Sequence, residues 1–74
     1  MAKNIYSKEH KRIVAKIKQA RIEAGITQEE IAKLLGRTQS YLSKIESGQR
    51  RIDINLLAEL AQVYKKEINY FIKE

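Results

Sequence analysis

A chain of 74 residues has room for one domain, residues 1–74, and a domain that small buries only about 60% of its unfolded surface. With no cysteine and a single histidine, His10, disulfides and the usual zinc sites are excluded, so stability has to come from packing. Fifteen basic against nine acidic side chains leave a net charge of +6 and a pI near 9.7, a balance that attracts polyanions before any specific contact forms.

The same inventory narrows the function classes. A Ser, His and acid arrangement has only His10 to build on, and a glycine-rich phosphate loop is missing. So small a core leaves no room for a pocket of about 300 Å³ or more. The expectation is no enzyme, no cofactor and no metal. No apolar run approaches the roughly 18 residues of a membrane span. The start, Met1 to Tyr6, lacks the apolar stretch of a secretory signal. A cysteine-free chain also suits a reducing compartment, so a soluble cytoplasmic protein is expected.

In chain order, the first predicted helix runs from Ser7 to Ala24. Ser7 caps it, Gly25 ends it, and Ile13, Ile17, Ala20 and Ala24 form its inward side. Lys8, Lys11, Arg12, Lys16 and Lys18 fall outward as a solvated basic face, and His10 reads as exposed and incidental. Thr27-Gln28-Glu29-Glu30 forms a capping box for a second helix with Ile31, Ala32 and Leu35 inward, stopped by Gly36. Thr38 caps a third helix, about Thr38 to Ser47, whose inward residues are Leu42 and Ile45. Ser47-Gly48-Gln49 is a turn, and Asp53 caps a fourth helix bearing Leu56, Leu57, Leu60, Ala61 and Tyr64. A short fifth helix, about Asn69 to Ile72, presents Tyr70, Phe71 and Ile72. Tyr64 and Phe71 read as core, whereas Tyr70 and Ile72 suit either the core or a dimer seam. Five short helices make the fold class all-α.

The informative stretch is Gln28 to Ile45. Its two helices are joined by Gly36-Arg37-Thr38, a turn too tight for an antiparallel pair, so the second crosses the first steeply. Ala32 is the small residue such a crossing needs. Leu42 and Ile45 hold the second helix down, which leaves Gln39, Ser40, Ser43 and Lys44 protruding. That face is polar and free of acid, and a helix of this diameter fits a B-form major groove.

These residues resemble a known family. Thr27-Gln28-Glu29-Glu30-Ile31-Ala32, then Gly36, then Thr38-Gln39-Ser40-Tyr41-Leu42-Ser43-Lys44-Ile45-Glu46-Ser47-Gly48 look like the Cro and lambda-repressor-like helix-turn-helix family, also called XRE. The resemblance runs from about Ile17 to Ile72. It implies a compact five-helix bundle, a homodimer on a near-palindromic DNA operator, and transcriptional regulation in bacteria or phages.

It also implies roles for individual residues. Gln39, Ser40, Ser43 and Lys44 would make the base contacts, the Gln39 amide suited to adenine and Lys44 to guanine acceptors, with Ser40 touching a base or a phosphate and Ser43 near a phosphate or a thymine methyl. Gln28 would clamp a phosphate and steady Gln39, and Tyr41 would lie along the DNA backbone. Ser47, Gly48, Gln49 and Arg51 would contact phosphates, partly through backbone N–H groups, with Arg50 adding grip. Arg21 and Glu46 match an ion pair that ties the first helix to the end of the third. A proline common before the family's fourth helix is replaced here by Arg50-Arg51-Ile52-Asp53.

Two other classes compete with a regulator that reads double-stranded DNA. One is an antitoxin-type module that neutralises a protein partner through the final helix and the first-helix lysines. The other is a general nucleic-acid coat, which needs an exposed aromatic platform and finds only Tyr41.

Overall fold

The computed structural model describes residues 7–73, so the residues read above for a secretory signal, Met1 to Tyr6, lie outside the described part. The elements are α1 (Lys8–Ala24), α2 (Gln28–Leu35), α3 (Gln39–Glu46), α4 (Ile54–Tyr64) and α5 (Ile68–Ile72), with no strand among the described residues. The fold is therefore all-α with five helices, as expected.

Local chemistry sets the helix limits. Ser7, Thr27, Thr38 and Asp53 each sit in extended backbone and accept the N–H three residues on, satisfying a donor that the first turn leaves unpaired. At Thr27 the box is complete, because Glu30 Oε1 accepts from the Thr27 N–H at 2.9 Å. Gly25 and Gly36 close α1 and α2 at φ 71° and 68°, in the left-handed region where a side chain is strained. Of the five helices, α5 lacks a side-chain cap; Phe71, fully buried and edge-on to Tyr70, holds it to the body.

The core draws on every helix: Ile17 and Ala20 from α1, Ile31 and Ala32 from α2, Leu42 and Ile45 from α3, Leu56, Leu57, Leu60, Ala61 and Tyr64 from α4, and Phe71 from α5. Each large side chain among them contributes about 1.5–3 kcal/mol on burial. This cluster is the main source of hydrophobic stabilisation among the described residues.

The inward side of α1 differs from the sequence expectation. The buried residues are His10, Val14, Ile17 and Ala20, while Ile13 is half-buried and Ala24 exposed. A stripe anchored on Ile13 and Ala24 is rotated toward the two apolar ends, whereas the actual stripe follows the i, i+4, i+7 spacing from His10. His10 is thus not exposed and not incidental; it is 5% exposed, because its imidazole packs as a ring and its polar nitrogen has a partner. Arg12 and Lys16 are also not simply solvated. Both are half-buried, Arg12 with its Nε out of water and Lys16 with its ammonium 5.1 Å from the Tyr70 ring centroid.

Among the described residues no helix is long and apolar enough to cross a membrane.

Candidate nucleic-acid interface

The most extensive helix–helix packing in the molecule is between α2 and α3. Ala32, 2% exposed, occupies the inner surface of α2, and Leu42 and Ile45 of α3 are fully buried against the body. With its back so fixed, α3 turns Gln39, Ser40, Ser43 and Lys44 to solvent, and all four are exposed. Their side chains offer amide, hydroxyl and ammonium groups on one helix side without an acid, a set able to hydrogen-bond base edges.

A buried polar node joins the other ends of these helices. The Arg21 guanidinium meets the Glu46 carboxylate in two bonds, Nε to Oε2 at 2.7 Å and Nη2 to Oε1 at 3.1 Å. Its third nitrogen donates to the Ile26 carbonyl at 2.9 Å. The carboxylate is 3% exposed, and burial of this kind is tolerated only because every oxygen is met. The bond to Glu46 raises the Arg21 pKa above its ordinary range, against the desolvation that lowers it. Gln28 completes the node by donating its amide to Glu46 Oε1 at 3.0 Å. In the protein alone, then, the Gln28 side chain is steadied by Glu46. Tyr64 lies beside this node, and burial, with the Glu46 charge second, pushes its phenol well above its ordinary range.

The loop after α3 is pinned from α1. His10 Nε2 lies 3.1 Å from the Gly48 carbonyl, and since a carbonyl only accepts, Nε2 is the protonated nitrogen. Gly48 takes φ 83°, a turn that suits glycine. Its N–H and that of Gln49 close the end of α3 on the Ile45 and Lys44 carbonyls, at 3.1 and 3.0 Å. The Ser47 hydroxyl donates to the Lys44 carbonyl at 3.2 Å. The backbone N–H groups of Gly48 and Gln49 are thereby engaged within the protein, leaving the Gln49 side chain as the outward polar group of this turn.

Tyr41, half-buried against the core, carries two cations. The Arg37 guanidinium carbon lies 4.9 Å and that of Arg50 4.4 Å from the ring centroid. Arg51 lines the same cleft, together with Asp53, Asn55 and Glu59. Arg37 and His10 are the residues that sequence reasoning missed. For Arg37 the sequence carries no spacing signal: it lies outside α3, before the Thr38 cap, where helical spacing does not apply.

A second cleft, of about 440 Å³ and open to solvent, lies between α1 and α5. It exceeds the volume expected of so small a core because it is a surface groove. Lys16, Lys65, Lys66 and Lys73 wall it around Tyr70, whose ring also lies 4.5 Å from the Lys66 ammonium. Its charged lining is four ammonium groups and one carboxylate, Glu67, and it holds no serine, cysteine or histidine. Among the described residues no group of three or more His, Cys, Asp or Glu is placed to hold a metal ion.

Comparison with known proteins agrees with this geometry. A helix-turn-helix family model, HTH_3, matches residues 17–71. The chain is also similar to an uncharacterized HTH-type transcriptional regulator, y4dJ, of Sinorhizobium fredii (strain NBRC 101917 / NGR234), with 48% identity over 42 residues. That alignment takes in 57% of this chain and 54% of the relative, so the chain spans about half the length of the protein it matches. The family match begins inside α1 and ends inside α5, taking in the whole of the α2–α3 unit. The chain belongs to the HTH_3 helix-turn-helix family, the Cro and lambda-repressor-like type, a family of DNA-binding domains and not of enzymes.

Proposed function

We propose that the protein is a sequence-specific transcriptional regulator, a repressor or autoregulatory controller that reads a near-palindromic operator as a homodimer. The observation that carries this reading is the two-sidedness of α3: Leu42 and Ile45 are fully buried, while the opposite side is polar, exposed and free of acid. In this reading α3 enters the major groove, where Gln39 and Lys44 read bases and Ser40 and Ser43 assist them. Gln28, Tyr41, Ser47, Gln49, Arg50 and Arg51 hold phosphates, and Gly48 allows the backbone a close approach. Two copies would present their α3 helices about 34 Å apart, one helical turn of DNA. The partly exposed Tyr70 and the 43% exposed Ile72 on α5 suit a seam between the copies. Such a regulator works in the cytoplasm of a bacterium, on its own genome or that of a phage.

The test is selection of bound duplexes from a randomised library, followed by fluorescence anisotropy on the enriched and a scrambled duplex at two salt concentrations. The expected result is binding at least about a thousandfold tighter to the enriched duplex. Equal, salt-sensitive binding to both contradicts the reading and leaves a nonspecific coat.

One observation favours a second reading, an antitoxin-type module that neutralises a protein and binds DNA secondarily. The lysine-walled cleft around Tyr70 draws on α1, α5 and the connection before α5, with no residue of α3. Failure to bind any duplex would favour it.

A further inference from the structure

We propose that Arg37 is a DNA phosphate contact, and that Arg37 and Arg50 act as one preassembled clamp built on the Tyr41 ring. The clamp rests on the DNA-reading role proposed above and extends it to a residue in the turn.

The argument begins with placement. Arg37 stands in the turn immediately before α3, and Arg50 in the loop beyond its end. Both guanidinium groups converge on a single ring of α3 itself, 4.9 and 4.4 Å from its centroid. They are therefore no farther apart than those two distances combined. That span is on the scale of neighbouring phosphates on one DNA strand, which advance about 3.4 Å along the helix axis per step and are farther apart in space.

Like charges within that span repel one another, and the negative face of the ring, with the carboxylates of the cleft, offsets only part of the repulsion among Arg37, Arg50 and Arg51. An anion between or beside them removes the remainder. The ring is itself held, since Tyr41 packs against the core, and its backbone is fixed by the bond of its N–H to the Thr38 cap. The arginines thus meet a phosphate with part of their side-chain freedom already restricted, which lowers the entropic cost of engaging it. A guanidinium also matches phosphate oxygens in two parallel bonds. Because the clamp is attached to α3, grip on the backbone and register of the reading side are set together.

The cleft also has an acidic wall. Asp53 is turned inward to cap α4, accepting from the Leu56 N–H at 2.8 Å. Glu59, exposed on α4, lines the same cleft and opposes a phosphate there. Its removal should strengthen binding, a sign that a merely structural role would not give.

The experiment measures affinity for a library-enriched duplex of about 24 base pairs, a little over two helical turns, across a salt series. The unaltered protein is compared with Arg37→Gln, Tyr41→Leu and Glu59→Gln, each with its melting temperature. Arg37→Gln is expected to bind several-fold more weakly and to flatten the slope of log K against log salt by about 0.9, one phosphate's worth. Tyr41→Leu keeps both charges, so its affinity should fall several-fold with little change of slope. Glu59→Gln should bind more tightly. An unchanged slope and affinity in Arg37→Gln, with the unaltered protein binding specifically, overturns the clamp alone. Failure of the unaltered protein to bind any duplex overturns the DNA-reading role and the clamp with it. Arg37 and Glu59 are exposed, so two of the three variants test the idea even if Tyr41→Leu unfolds.

Discussion

The two sides of α3 are built on opposite principles. On the inner side Leu42 and Ile45 are fully buried, and Glu46 is held by three donors from Arg21 and Gln28. On the outer side Gln39, Ser40, Ser43 and Lys44 stand in water. Side chains that stand free in water contribute little to the fold, while Leu42, Ile45 and Glu46, buried and fully engaged, fix the helix and take no part in the proposed recognition. Stability and reading are therefore separable by substitution, and the contrast predicts how each variant divides its effect.

The largest effect is expected at the node. Glu46→Ala leaves Arg21 part-buried without its partner and should cost about 3–5 kcal/mol in a urea titration. Glu23→Ala serves as the control: that carboxylate is 46% exposed and pairs with Lys66 at 3.3 Å, so a far smaller loss than at Glu46 is expected. Equal destabilisation would break the contrast between the inner side and the surface.

Next comes His10, which sharpens the contrast because it holds the loop next to the proposed reading side. His10→Ala strips the Gly48 carbonyl of its donor and opens a gap, with an expected destabilisation of about 1–3 kcal/mol. DNA affinity should fall as the loop loosens, while base preference stays, since His10 faces no base. Chemical denaturation and anisotropy on the enriched duplex measure the two effects separately.

The smallest effect belongs to an exposed group that is nonetheless engaged. The backbone N–H of Thr27, with its hydroxyl second, holds the Glu30 carboxyl below the usual carboxylate range. Its folded pKa is depressed, so its contribution is present above the unfolded value and disappears as pH falls through the folded one. Melting temperature should therefore drop on acidification below about pH 4, and Glu30→Gln, which keeps an acceptor for the box, should make that limb slightly shallower.

Much of this architecture is legible in the sequence because its information is local. Ser7, Thr27, Thr38 and Asp53 announce helix starts through bonds made three residues away, and Gly25 and Gly36 announce ends through their own backbone. The outward placement of Gln39, Ser40, Ser43 and Lys44 follows once Leu42 and Ile45 define the inner side. What local pattern does not carry is the pairing of distant polar groups. His10 finds the Gly48 carbonyl 38 residues away, and Gln28 finds Glu46 across 18. A histidine among lysines reads as solvated until the fold brings it an acceptor. Lys16 likewise reads as surface until Tyr70 is laid beneath it. The engagement of the Gly48 and Gln49 N–H groups is a property of how α3 ends, and residue type alone does not reveal it.

The most direct test of the account removes the reading side and leaves everything behind it. The double variant Gln39→Ala, Lys44→Ala is measured for thermal stability and for the ratio of its affinities for the enriched and scrambled duplexes. The account predicts stability within about 0.5 kcal/mol of the unaltered protein. It predicts, too, that discrimination between the two duplexes falls by about 1–3 kcal/mol for each base-reading side chain removed. A ratio unchanged in a folded double variant would contradict it, because the outer side of α3 would then not be what reads the DNA.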